Sequence, residues 1–329
     1  MSHISQINPQ NNDIDRILNI GYFMIRPKIV VVGSSNTDMI IKVPRIPQPG
    51  ETILGGEFST ASGGKGANQA VAASRAGGDV TFVARVGDDM FGEKAVKGFK
   101  EDGINAEYIK IDTEKPSGVA EIFVDEQGEN SIAVASGANL NLSTQDIFEI
   151  EDTIANSDIL LMQLEIPIEV VKAAAKIARK NGVKVILNPA PAQKLDDNLL
   201  KNVSVITPNK IEAEMLTGIK INNNSGLEKA ANILLSHGIE IAIITLGKKG
   251  AYYIDKGNSE LISGFKVKSI DSTAAGDIFN GALAVALGEN MALKKSLVFA
   301  NAAAALSVTK LGAQPSAPIR EEIENIKLE

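Results

Sequence analysis

The run Asp271-Ser-Thr-Ala-Ala-Gly-Asp277-Ile-Phe-Asn-Gly281 places small residues and a carboxylate just ahead of an apolar stretch, Ala282 to Leu287. That pattern predicts a helix beginning about here, with Ala274, Ala275 and Gly276 small enough to let a ligand approach the backbone. The first N–H groups of a helix have no carbonyl partner inside it, and together with the helix dipole they form a site for a phosphate or a developing negative charge. A carboxylate at such a site would repel a phosphate, so Asp277 points to a base that takes a proton while the amides stabilise charge. The structural alternative is that Asp271 caps the helix and Asp277 merely complements its dipole.

A second candidate follows the first apolar run, at Gly33-Ser-Ser-Asn-Thr-Asp38. Ligands of open α/β sheets bind at the carboxyl ends of strands. Asn36 and Asp38 can face one way, and an ionised Asp accepting from two hydroxyls beside an Asn that donates and accepts suits a polyol. Both residue types are also common in turns. Gly33 is followed by Ser34 and Ser35 without further glycines, so this is no dinucleotide fingerprint. The third candidate, Gly63-Gly-Lys-Gly-Ala-Asn-Gln-Ala70, is a glycine-rich turn leading into a helix. It differs from a P-loop, since Lys65 is followed by glycine instead of Ser or Thr and the four-residue loop between glycines is missing. Close backbone approach to a sugar at Gly64, with Lys65 and Asn68 donating to its hydroxyls, fits better. A purely structural turn is the alternative.

Composition narrows the chemistry. The 329 residues suffice for one large α/β domain or two ordinary ones. A formal charge of −7 argues against general affinity for nucleic acid and favours a small-molecule partner. With no cysteine, disulfides, thiolate metal sites and cysteine nucleophiles are excluded, and a cytoplasmic location is expected. The two histidines, His3 and His237, are too few for a His-rich metal site and poorly placed for a triad. Residues 1–26 lack the basic start and apolar run of a secretory signal and read as an N-terminal extension. No apolar run is long enough for a bilayer, so no membrane partner is expected.

The elements that must position these candidates alternate. Lys28 to Val32, Val80 to Val83, Ile159 to Leu164, Val183 to Leu187, Val203 to Ile206 and Ile241 to Thr245 read as strands. Gln69 to Ala76, Val170 to Lys180 and Leu227 to Leu235 read as crossover helices, which together predict a doubly wound α/β fold with a mainly parallel central sheet and helices on both faces. Two regions break the alternation. Residues 39–62, with Pro44, Pro47, Pro49 and Gly50, and residues 118–136 read as extended hairpins without helices. They form either a small β-sheet lid projecting from the domain over substrate or an edge extension of the main sheet. The domain proper is expected over residues 27–329.

In combination, the Gly-Gly-Lys-Gly-Ala-Asn segment and the Asp271 to Gly281 run resemble the ribokinase branch of the PfkB carbohydrate kinase family. The resemblance extends from about Lys28 to Glu322 and includes, in order, Gly87-Asp-Asp89, Leu161-Met-Gln-Leu-Glu165, Asn188-Pro-Ala-Pro191, Thr207-Pro-Asn209-Lys-Ile-Glu212, Thr245-Leu-Gly247-Lys-Lys-Gly250 and Gly312-Ala-Gln-Pro-Ser316. It implies a ribokinase-like fold whose β lid commonly forms a homodimer contact. It also implies ATP-dependent phosphorylation of D-ribose at the 5-hydroxyl, giving D-ribose 5-phosphate and ADP. Related kinases acting on 2-deoxyribose, a nucleoside or another sugar, and a non-catalytic sugar sensor, are the alternatives.

The same resemblance implies roles for individual residues. Asp277 matches the family's catalytic base and Ala274 through Asp277 its anion hole, sufficient equipment for a reaction that depends on placement and charge stabilisation. Asn36, Asp38, Gly64, Lys65, Asn68 and Glu165 match sugar contacts. Asn209 and Glu212 match the motif that organises phosphate, water and Mg²⁺, with Glu212 acting through water because Mg²⁺ takes most of its oxygens from phosphate and solvent. A plain surface Glu is the alternative there. Thr245, Gly247 and Gly250 match the nucleotide-binding turn, and Asn301 the adenine pocket. Asp271, Thr273, Ser307, Lys310, Gly312 and Ser316 match a monovalent-cation site, expected for K⁺ and built largely from backbone oxygens.

Overall fold

The computed structural model describes residues 26–54, 56–127 and 129–326. The N-terminal extension expected over 1–26 therefore lies, but for Arg26, outside the described residues. The strands are β1 (Lys28–Val32), β2 (Asn36–Lys42), β3 (Glu57–Gly63), β4 (Asp79–Gly87), β5 (Ile109–Asp112), β6 (Gly118–Val124), β7 (Asn130–Ala135), β8 (Ile159–Met162), β9 (Lys184–Leu187), β10 (Val205–Ile206), β11 (Ile241–Thr245), β12 (Ala251–Ile254) and β13 (Ser259–Ile262). Among the described residues the helices of eight residues or more are α1 (Lys65–Arg75), α2 (Met90–Glu101), α3 (Ile168–Lys180), α4 (Lys210–Thr217), α5 (Asn224–Ser236), α6 (Ala275–Gly288) and α7 (Leu293–Ser307).

Nine strands form the central sheet in the order β13-β12-β11-β10-β9-β8-β1-β4-β5. All neighbours from β5 to β11 are parallel, and β12 and β13 extend that edge as an antiparallel hairpin. The alternation along β1 shows why the sheet is covered on both sides: Ile29 and Val31 enter one hydrophobic core, Val30 and Val32 the other. Strands buried on both faces need continuous apolar runs, which is what the sequence supplies here. From β1 the chain moves to β4 on one side and later returns to β8 on the other. Strand order thus reverses at β1, and the crevice at the carboxyl ends of β1 and β8 is where an open α/β sheet takes its ligand.

The other four strands form a separate sheet, β3-β2-β6-β7. Two antiparallel hairpins meet through parallel pairing of β2 with β6. This supports the lid and overturns the edge-extension alternative, since none of these strands pairs with the central sheet. The expected helices are present with earlier starts, at Lys65, Ile168 and Asn224. Among the described residues, no helix is long and apolar enough to cross a membrane.

Helix α6 lies tightly against α1. A Cβ built on Gly281 would stand 2.6 Å from the Ala72 Cβ and 2.7 Å from the Gln69 carbonyl oxygen. Overpacking of this kind destabilises by about 1–3 kcal/mol. Gly281→Ala is accordingly expected to lower the denaturation midpoint in urea, whereas an unchanged midpoint would show that the two helices can separate freely.

Candidate active site

Three loops and two helix starts converge on the β1/β8 crevice. Helix α6 begins after Ala274, whose φ of 59° lies in the left-handed region that alanine rarely adopts. A left-handed residue feeding a helical turn aims successive amides at one point, a concave nest for an anion. The Ala275 N–H makes a long 3.3 Å bond to the Ser272 carbonyl, whereas the Gly276 and Asp277 amides have no acceptor among the described residues. A Cβ at Gly276 would meet nothing within 4 Å, so the space over this turn is open to a ligand. Asp271 does not cap α6. Its Oδ1 accepts from the Thr273 amide and hydroxyl, and its Oδ2 from the Gly312 amide.

Asp277, on the first turn of α6, is buried at 5 % exposure. Its Oδ2 accepts from Asn68 Nδ2 at 3.0 Å and its Oδ1 from Gln69 Nε2 at 2.9 Å. Both donors come from α1, so the close α1–α6 contact is what sets the carboxylate. Gly64, which precedes α1, has φ 87°, and a Cβ there would stand 2.7 Å from the Asn36 amide nitrogen. Only glycine permits this turn.

The predicted sugar contacts gather around Asp277. Glu165, on the loop after β8, accepts from Ser34 Oγ at 2.5 Å and from the Lys65 amide at 2.9 Å, both on Oε2. It thereby ties the loop after β1 to the start of α1 across the point where strand order reverses. Asp38 lies beside Gly63, where a Cβ would come within 2.3 Å of its Oδ1. Burial, then the charges of Glu165 and Asp277, raise the Asp38 carboxyl from 3.8 to about 6. The Lys65 ammonium is pushed upward, chiefly by Asp277 and against the opposing effect of burial. The sequence reading missed Asn139, on the loop after β7. Its amide accepts from the Ser35 N–H at 2.8 Å and donates to Asn36 Oδ1 at 2.8 Å, which turns the Asn36 NH₂ away from it.

A second group lies toward β11. Asn209 and Glu212 form a reciprocal capping box at the start of α4, each side chain accepting the other's amide. Glu212 is half-buried, not a plain surface residue, and burial raises its carboxyl. Thr245 is bridged to Asn209, which brings the turn at Gly247 (φ 58°) and Gly250 (φ 98°) beside the α4 cap. Asn301 is buried in α7 and donates to the Ile262 and Ser263 carbonyls, so its amide donors fasten a neighbouring loop. Of the residues assigned to a monovalent cation, Asp271, Thr273 and Gly312 meet directly. Ser307 and Ser316 donate to the Ala304 and Ala313 carbonyls, and the Lys310 ammonium pairs with Glu322. No cluster of three or more His, Cys, Asp or Glu suited to a metal occurs among the described residues.

Comparison with known proteins places the fold in a family. Residues 26–320 match the model of the pfkB family of carbohydrate kinases. The chain is 48 % identical over 298 residues to a ribokinase of Haemophilus influenzae, covering 91 % of this chain and 97 % of the relative. It is 36 % identical over 299 residues to a deoxyribokinase of Salmonella typhi, covering 89 % and 96 %. The solved structure of Arabidopsis thaliana ribokinase with ribose and ATP superposes with a TM-score of 0.85 at 32 % identity, covering 91 % of this chain and 98 % of that one.

The raised Asp38 carboxyl has a consequence for stability. Because its folded value lies above its unfolded one, its favourable contribution is full below about 3.8 and is lost as pH rises through about 6. Asp38→Asn removes that penalty, so it is expected to raise the melting temperature at pH 8 more than at pH 4. Equal shifts at both pH values would show that Asp38 titrates normally.

Proposed function

Because the chain belongs to the pfkB family of carbohydrate kinases, we propose that it transfers the γ-phosphoryl group of ATP to the 5-hydroxyl of D-ribose, giving D-ribose 5-phosphate and ADP. One observation carries the reading: the Asp277 carboxylate stands on the same helical turn as the unpartnered amides of Gly276 and Asp277. A base and a charge-stabilising nest are thereby fixed together on one turn.

The cleft residues divide the work. Asp38 and Glu165 accept from ring hydroxyls, while Asn36, Lys65 and Asn68 donate to them. The bonds to the charged groups Asp38, Glu165 and Lys65 contribute roughly 1.5–3 kcal/mol each and so decide which sugar is held. With the pentose in place, an Asp277 oxygen takes the proton of the primary hydroxyl as that oxygen attacks the γ-phosphorus. Charge developing on the transferred group falls on the α6 amides. The nucleotide lies along Thr245, Gly247 and Gly250, with Asn301 at the edge of its base pocket.

The donor sets fit the expected ions. The half-buried carboxylate of Glu212 suits a Mg²⁺ that would take most of its oxygens from phosphate and water. When bound, Mg²⁺ neutralises charge on the phosphate oxygens. Asp271 ties residues 271–273 to Gly312, and backbone oxygens of these loops are the hard donors that would hold K⁺. The catalytic unit spans residues 27–329 and works in the cytoplasm. A homodimer through the lid is supported by the exposure of Phe58, Ile132 and Val134.

The 36 % identity to a deoxyribokinase keeps 2-deoxyribose as the second reading. In a coupled ADP assay with a panel of sugars, ribose is expected to give the highest kcat/KM, and a higher value for 2-deoxyribose would overturn the substrate assignment. In the same assay Asp277→Asn should lose on the order of 10²–10⁴ in turnover while ribose binding survives, and near-normal turnover would remove Asp277 from the role of base. K⁺ is expected to stimulate, and equal rates in K⁺, Na⁺ and tetramethylammonium would count against the cation site.

A further inference from the structure

Gln69, 0 % exposed, is too deeply buried to be an obvious substrate contact, yet its amide is fully engaged. Its Oε1 accepts from Gln163 Nε2 at 2.7 Å, and its Nε2 donates to Asp277 Oδ1 at 2.9 Å and to Asn188 Oδ1 at 3.1 Å. The orientation is forced. A flipped amide would set an oxygen against the Asp277 carboxylate and leave the Gln163 donor facing another donor.

Gln163 is locked in turn. Its Oε1 is buried without a partner over Gly33, where a Cβ would come within 2.1 Å of it. On the other side, Asn188 Nδ2 donates to the Thr207 carbonyl at 3.2 Å, the Thr207 hydroxyl to Asn280 Oδ1 at 2.6 Å, and Asn280 Nδ2 to the Gly276 carbonyl at 2.8 Å. The chain of bonds begins and ends on the first turn of α6. One end holds the carboxylate of Asp277 and the other the peptide of Gly276.

We propose that Gln69 is the positioning residue for the Asp277 carboxylate, and that the Gln163–Gln69–Asn188–Thr207–Asn280 network fixes the base relative to the amide nest of α6. The inference rests on the kinase reading above and deepens it. Asn68, the other donor to Asp277, also matches a sugar contact. Gln69 acts through Asp277, so its removal should affect turnover far more than sugar affinity. Misplacing a reacting group by about 1 Å can cost roughly 100-fold in rate.

The test compares Gln69→Met and Gln69→Glu with Asp277→Asn in the full-length protein. Ribose binding is followed by calorimetry, and kcat and KM by the coupled assay across pH. Gln69→Met, of similar length but without a donor, is expected to lose about 10–100-fold in kcat with ribose affinity near wild type. Gln69→Glu sets a second acidic group against Asp277. Its turnover relative to wild type should rise as pH falls, because a protonated Glu can donate where an ionised one cannot. The charged groups facing the same cleft are Lys65, Asp38, Glu165 and Glu212, all unchanged in both variants, so the ratio isolates position 69.

Gln69→Met turnover within about twofold of wild type would overturn the proposal. So would a Gln69→Glu ratio flat with pH, which decides the matter alone should the Met variant not fold. If instead Asp277→Asn turns over normally, the base assignment fails and this proposal with it. An inactive Asp277→Asn beside a normal Gln69→Met would sink this proposal alone.

Discussion

A proton acceptor and a phosphoryl-stabilising nest share one helical turn, and neither is useful unless that turn is held still. The Asp277 carboxylate forms no ion pair by contact among the described residues. It is held by two side-chain amides from α1, with Lys65 adding its charge from across the cleft. Neutral donors can fix a carboxylate without bonding it so strongly that its remaining lone pairs are lost to substrate. The close contact of α1 with α6 at Gly281 follows from the same need, because a donor on one helix reaches an acceptor on the other only if the backbones nearly touch. The central sheet supplies the rigid frame, and the reversal of strand order at β1 supplies the crevice.

That arrangement strains the folded state. Asp38, Glu165 and Asp277 face one cleft with Lys65 as the cation that acts on all three, and Asp38 is pushed up to about 6 by its burial and then by the two neighbouring carboxylates. Ala274 is held at a positive φ beside them. Strain of this sort persists only when the surrounding structure over-determines it, and it concentrates where ligands bind. Here the over-determination is visible. Ser34, Lys65 and Glu165 lock three segments together, and Asn139 fastens the loop after β7 to Ser35 and the start of β2 at Asn36.

Much of the frame was legible in the sequence. The Val-Ile-Leu runs of β1, β8, β9 and β11 announced buried parallel strands, and the small residues before Asp277 announced the start of α6 within a residue or two. The edge strands were harder. β13, Ser259–Ile262, is largely exposed and carries Ser and Glu, so its apolar signal is weak, although the Asp255-Lys-Gly-Asn turn before it was a usable hairpin cue. Most opaque was the polar network. Gln69 meets Gln163 and Asp277 across 94 and 208 residues, and pairings of that separation leave no local pattern. Gln163 and Asn188 stood inside runs that the family resemblance had singled out, and the only hint of their role was a polar amide at the end of an apolar strand. The roles given to Asn301 and Asp271 lean on the resemblance, since their side chains are engaged in fastening loops.

The central claim is that Asp277 accepts the proton of the attacking sugar hydroxyl while the α6 amides receive the phosphoryl charge. A crystal structure with ribose and a non-hydrolysable ATP analogue tests it most directly. An Asp277 oxygen is expected within about 2.6–3.2 Å of the 5-hydroxyl, with the Gly276 and Asp277 amides directed at the γ-phosphate. A 5-hydroxyl out of reach of Asp277, or amides bonded within the protein and turned from the nucleotide, would contradict the account.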